Sequence, residues 1–98
     1  MIVVRDTFQI HPERMKEARA LAKEDRRLAQ KHGYPLRRIM TDLSGEYYTL
    51  IFEGEVASLS EFQELMGRAF ADKEWQEWYG RFRQLIRGGR REFYTLLE

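Results

Sequence analysis

The sequence predicts an α+β domain in which a four-stranded antiparallel sheet carries its helices on one face. Three observations lead there. Two-residue alternation of apolar and polar side chains marks short segments at both ends and in the middle of the chain. Two longer stretches place their apolar residues at helical spacing. The segments follow one another as strand, helix, strand, strand, helix, strand.

Residues 2–10 read as the first strand, with Ile2, Val4, Phe8 and Ile10 alternating with Val3, Arg5, Thr7 and Gln9. Pro12 suits the first turn of a helix, where its missing N–H costs nothing. From there to about His32 the residues Met15, Ala18, Leu21, Ala22, Leu28 and Ala29 form one stripe, and Gly33 and Pro35 end it. Leu36 to Thr41 is a short second strand. Asp42-Leu43-Ser44-Gly45 supplies turn chemistry for a hairpin into a third strand, Glu46 to Glu55. That strand is β-branched and aromatic and apolar on both faces, so it belongs in the middle of the sheet.

Ser58 and Glu61 make a capping box before Leu59, Phe62, Leu65, Met66 and Ala69. Asp72 caps a further helical segment, whose stripe runs through Trp75, Trp78, Tyr79, Phe82, Leu85 and Ile86. Such a stripe is more often core than a ligand stack, so Trp75 is expected to be largely buried. Gly88-Gly89 reads as the stop, and Arg90 to Glu98 as the last strand. The order β-α-β-β-α(α)-β is the ferredoxin-like pattern, over one domain spanning residues 1–98. The face without helices would hold residues such as Val3, Ile39, Ile51 and Leu96, or their alternates along each strand. That is too much apolar surface for water and asks for a second sheet, which a homodimer supplies.

Composition bounds the function. The 98 residues are 43% hydrophobic and 13% aromatic, too rich for disorder, and the net charge of +1 pulls no nucleic acid toward the chain. No apolar run approaches the roughly 20 residues of a membrane helix. Without cysteine there is no disulfide, thiolate nucleophile or sulfur-ligated metal, and the N-terminus lacks a secretory pattern, so the expected location is cytoplasmic. Two histidines, His11 and His32, give no metal-ligand spacing. No Gly-rich loop opens a helix to hold a phosphate, and no serine stands in a triad pattern. Arg81, Arg83, Arg87, Arg90 and Arg91 cluster in sequence, but cations near a helix C-terminus ordinarily serve its dipole.

The stretch Phe70-Ala71-Asp72-Lys73-Glu74-Trp75-Gln76-Glu77-Trp78, then Phe82, Leu85-Ile86 and a closing strand, resembles the NIPSNAP-like branch of the dimeric α/β-barrel proteins. There an Asp-x-x-Trp turn opens the last helix. The opening strand with Arg5, then Pro12 and a long charged helix, is similar too. The resemblance covers nearly the whole chain. It implies the fold and a dimer but no single activity, because monooxygenases, haem-degrading enzymes, isomerases and decarboxylases share the superfamily. The haem-degrading members use an Asn on strand one, a Trp on strand three and a His on the second helix. Here strand one offers Asp6 and Thr7, strand three Tyr47, Tyr48 and Phe52, and residues 58–86 contain no histidine, which counts against haem; the expectation is no cofactor.

The resemblance also implies a pocket between helices and sheet. On the first helix Asp25 and His32 interrupt the middle of the apolar stripe, and Asp6 alternates with Val4 and Phe8. Tyr48 on the third strand and Trp75 on the last helix complete the candidate set. A buried carboxylate there would have a raised pKa and could transfer protons, whereas a structural role would tie Asp25 to an arginine. The function expected is binding of a small apolar or aromatic ligand, with or without cofactor-independent catalysis. The alternative is a non-catalytic sensing or structural homodimer.

Overall fold

The computed structural model describes residues 1–98. Strand β1 (Ile2–Ile10) leads through a 3-10 turn at Pro12–Arg14 into α1 (Met15–His32). Then come β2 (Leu36–Thr41), β3 (Thr49–Val56), α2 (Leu59–Phe70) and α3 (Lys73–Phe82). A 3-10 turn at Arg83–Leu85 delivers the chain to β4 (Ile86–Thr95). The sheet has the order β2-β3-β1-β4 with every neighbour antiparallel, so β1 and β3 are central. The fold is the ferredoxin-like α+β arrangement. No helix is long and apolar enough to cross a membrane.

Register assigns the two faces. Val4 and Phe8 of β1 stand opposite Gly54 and Leu50 of β3, and Asp6 opposite Phe52. This face meets the helices. Ile10, Leu21, Leu28, Leu50, Phe82 and Leu85 form the centre of the core, and Val4, Val56, Phe62 and Leu65 a second, smaller cluster beside it. The helix ends are set as the side chains dictate: the Ser58 hydroxyl accepts from the Glu61 N–H at 3.1 Å, and Asp72 from the Glu74 N–H at 3.0 Å.

Two boundaries differ from the sequence expectation. The third strand starts at Thr49 and not Glu46, because residues 42–48 close a longer turn. Asp42 Oδ1 accepts from the Thr49 N–H at 2.9 Å, and Tyr48 enters the left-handed region at φ 60°. The last strand begins at Ile86 and runs through Gly88-Gly89, so these glycines do not stop the helix. Gly89 lies opposite Phe8, and a Cβ there would come within 2.8 Å of the Thr7 carbonyl oxygen and 2.9 Å of the Phe8 ring. Its missing side chain lets β4 press against β1.

The open face also differs. Ile39 lies opposite Phe52 and turns to the helices, and Leu96 falls beyond the last strand. What remains apolar is Val3, Met40, Ile51 and Tyr94. Among them Arg5 and Arg38 clamp Glu53 at 2.7 and 3.1 Å, and Arg90 reaches Glu92 at 3.3 Å. The Thr7 hydroxyl, on the same face, is buried without a partner.

Candidate functional site

A cavity of about 110 Å³ lies between the helices and the sheet, walled mostly by apolar and aromatic side chains. Phe8 and Phe52 come from the sheet, Leu28 and Ala29 from α1, Leu65 and Met66 from α2, and Trp75, Trp78 and Phe82 from α3. It shares Asp6, Phe8, Met66, Trp75, Tyr79 and Arg91 with an open groove of about 560 Å³, so it has a mouth.

The polar groups on this wall are few. Asp6 of β1 and Arg91 of β4 are cross-strand partners on the helix-facing side. Arg91 Nε donates to Asp6 Oδ1 at 2.6 Å and Nη2 to Oδ2 at 3.3 Å, a bidentate pair. The Arg91 guanidinium also stands 4.9 Å from the Phe62 ring centre. Asp25 projects from α1 on the face that carries Leu21 and Leu28. It is half-buried and engages in no hydrogen bond or salt bridge, so no arginine ties it down. Burial against the apolar wall, reinforced by the charge of Asp6, pushes its carboxyl up to about 7.

Tyr34, just past α1, is the member that pattern reading missed. Its ring lies on Gly54 of β3: a Cβ at that glycine would fall 2.7 Å from the Tyr34 hydroxyl oxygen. The hydroxyl has no protein partner, and Tyr34 is one of the residues that line the cavity. Desolvation, then the Asp6 charge, pushes it up to about 12, so it stays protonated. The sequence did hold a signal, since a glycine inside a central strand marks a close approach. The sequence could not say what approaches. By sequence, Arg91 is likewise distinguishable only as part of a basic run.

Asp6, Asp25, His32 and Trp75 thus line one cavity, and Tyr48 does not. Tyr48 ends the turn before β3, where its carbonyl accepts from the Ile10 N–H at 2.8 Å, and its side chain borders a surface groove with Met15, Lys16, Arg19 and Asp42. His32 touches the cavity but is engaged: its Nε2 lies 2.8 Å from Asp72 Oδ2, at the cap of α3. Trp75 is half-buried at the mouth and not in the core, its ring stacked on Tyr79 at 5.1 Å and 5°. Trp78 takes the interior place, 5% exposed, with its indole N–H donating to the Leu21 carbonyl at 2.7 Å. The arginines form no common patch: Arg81 pairs with Glu24, Arg90 with Glu92 and Arg91 with Asp6.

The fold and the cavity together define a ferredoxin-like protein with a space between its helices and its sheet that opens to the surface. Residues 4–98 match the NIPSNAP family model, and the chain belongs to the NIPSNAP family. A NIPSNAP family protein from Agrobacterium tumefaciens superposes with a TM-score of 0.91 at 23% identity, covering 99% of this chain and 86% of that one. An uncharacterised NIPSNAP domain protein from Burkholderia xenovorans gives 0.89 at 20% identity, over 99% and 95%. A putative antibiotic biosynthesis monooxygenase from Nitrosomonas europaea gives 0.79 at 7% identity over the whole of both chains. At these identities the likeness is one of fold. No curated protein matches the sequence.

Proposed function

We propose that this protein binds a small, mainly apolar or aromatic molecule between its helices and sheet, and that Asp25 moves a proton on it without a cofactor. The observation that carries the reading is Asp25 itself: an unpaired carboxyl on an apolar wall, facing a cavity with an open mouth. A carboxyl near 7 can give or take a proton at neutral pH, which matches what general acid–base catalysis needs. Asp6 supports the site by holding Arg91 in place, and Trp75 with Tyr79 offers a flat wall at the entrance. A non-catalytic sensing or structural dimer is the second reading. Its support is the inner volume of about 110 Å³, below the several hundred usual for ligand pockets.

The same reading includes a homodimer in the cytoplasm. Val3, Met40, Ile51 and Tyr94 give the open face an apolar centre among charged pairs, and a second copy placed on it would complete a barrel. The cysteine-free composition suits a reducing compartment.

The test is a chemical-shift titration of the protein with naphthalene. Binding in the cavity would move the Asp25 and Phe82 amides and the Trp75 and Trp78 indoles. Shifts confined to the surface, or none, would remove the pocket from consideration.

A further inference from the structure

Four side chains of the cavity wall carry polar atoms with no partner in the protein: Trp75 and Tyr79 stand at the mouth, shared with the open groove, and Tyr34 and Asp25 line only the inner cavity. The inner two differ in kind. Tyr34 is a seated donor: Gly54 lets its ring lie on β3, and its hydroxyl keeps its proton throughout the neutral range. Asp25 exchanges its proton there. Inside the mouth the rest of the wall is apolar apart from the internally paired Asp6 and Arg91 and the engaged His32. A site so equipped recognises one ligand oxygen and moves one proton near it.

We propose that the cavity takes an apolar carbonyl compound with an acidic hydrogen on the neighbouring carbon, Tyr34 donating to the carbonyl oxygen and Asp25 removing that hydrogen. This rests on the pocket reading above and names its substrate class. The Asp25 carboxylate takes the proton from carbon, and the C–H electron pair becomes the C=C bond of an enolate. The negative oxygen accepts from the Tyr34 O–H. Asp25 then returns the proton to the same carbon or to another conjugated position, which moves a double bond. Nothing is oxidised, and no co-reactant enters. With about 110 Å³ inside, the reacting ring fits in the cavity while a fused or attached apolar part lies in the groove against Trp75 and Tyr79.

The probes are naphthalene, 2-naphthol as a flat enol mimic, and 2-tetralone as an enolisable ketone. 2-Naphthol should bind about tenfold more tightly than naphthalene, the worth of one good hydrogen bond. Tyr34→Phe should erase that preference and leave naphthalene binding intact. In D2O the protein should speed deuterium incorporation beside the carbonyl of 2-tetralone, read by NMR. Asp25→Asn should return the rate to that of buffer, and Tyr34→Phe should lower it about 100-fold. If Tyr34→Phe fails to fold, Gly54→Ala serves in its place, because the new Cβ drives the hydroxyl off its seat. If no probe binds, the pocket reading fails and this inference with it. If naphthalene binds but 2-naphthol gains nothing, or exchange stays at the buffer rate, or neither Asp25→Asn nor the Tyr34 change slows it, the pocket stands and the carbonyl assignment is overturned.

Discussion

Asp25 stands four residues after Leu21 and three before Leu28 on the buried face of α1, where any uncharged side chain of its size would suit the fold better. Its folded-state pKa of about 7 exceeds the ordinary 3.8, and the sign of the linkage follows. Below about pH 4 the group is protonated folded and unfolded and costs nothing. Between 4 and 7 only the unfolded chain ionises, so stability falls as pH rises, and above 7 the penalty is complete. The groups facing it are Asp6 from β1, Arg91 from β4, His32 from α1, Tyr34 beyond α1 and Tyr79 from α3, while α2, β2 and β3 present only apolar side chains. Asp25→Asn should therefore melt above the wild type at pH 8, with the gap closing by pH 4. A variant that melts lower at pH 8 would mean the carboxylate is structurally supported, and the proton-transfer role would go. Gly54→Ala belongs to the same scale: with Tyr34 less than 3 Å from the new Cβ, the melting temperature should fall and the Tyr34 ring resonances move.

At the scale of elements, α3 is the part that closes the cavity. Its N-terminus is fixed to the end of α1 through Asp72, which accepts from its own Glu74 N–H, from Lys31 Nζ at 2.9 Å, and meets His32 Nε2 at 2.8 Å. The Lys31 ammonium chiefly, with the Glu74 N–H and His32, holds the Asp72 carboxyl down at about 2. A depressed pKa contributes stability above the unfolded value and loses it as pH falls from about 4 toward 2. Asp72→Ala should lower the melting temperature at pH 7 and lose most of that difference by pH 2, which a pair of thermal melts would read. The body of α3 is held by Trp78, stacked on Phe82 at 4.9 Å and bonded to α1. Trp78→Ala should cost about 3–5 kcal/mol in denaturant unfolding, as truncation of a buried aromatic does. Trp75→Ala, at the mouth, should cost much less and weaken naphthalene binding instead. The reverse ranking would place the core at Trp75.

At the scale of the whole molecule the proposed dimer rests on the open sheet face. Its charged pairs satisfy one another across strands, so in the proposed dimer Val3, Met40, Ile51 and Tyr94 would be the part covered by a second copy. Light scattering at micromolar concentration should return about twice the 11.8 kDa chain mass. Ile51→Arg should halve that mass and leave the far-ultraviolet circular dichroism unchanged. A well-folded wild-type monomer would dismiss the dimer and the barrel together.

Periodicity in the sequence determined the order of elements, the caps at Ser58 and Asp72, and the interruption of the α1 stripe by Asp25 and His32. These features are local, within a turn or two of helix or a few residues of strand, so the chain states them directly. Two strand boundaries depended on context and differ from the pattern: the tyrosines before Thr49 belong to a turn, which also keeps Tyr48 out of the cavity, and Gly88-Gly89 is strand. The division of labour among the aromatics, Trp78 inside and Trp75 at the mouth, follows from how far α3 rolls against α1, which no stripe specifies. The polar wall of the cavity is a tertiary product throughout. Asp6 and Arg91 meet across 85 positions of sequence, and Tyr34 reaches Gly54 across two strands and a turn. Side-chain pattern encodes which face an element buries, but only the packed chain fixes which buried groups come to share a space.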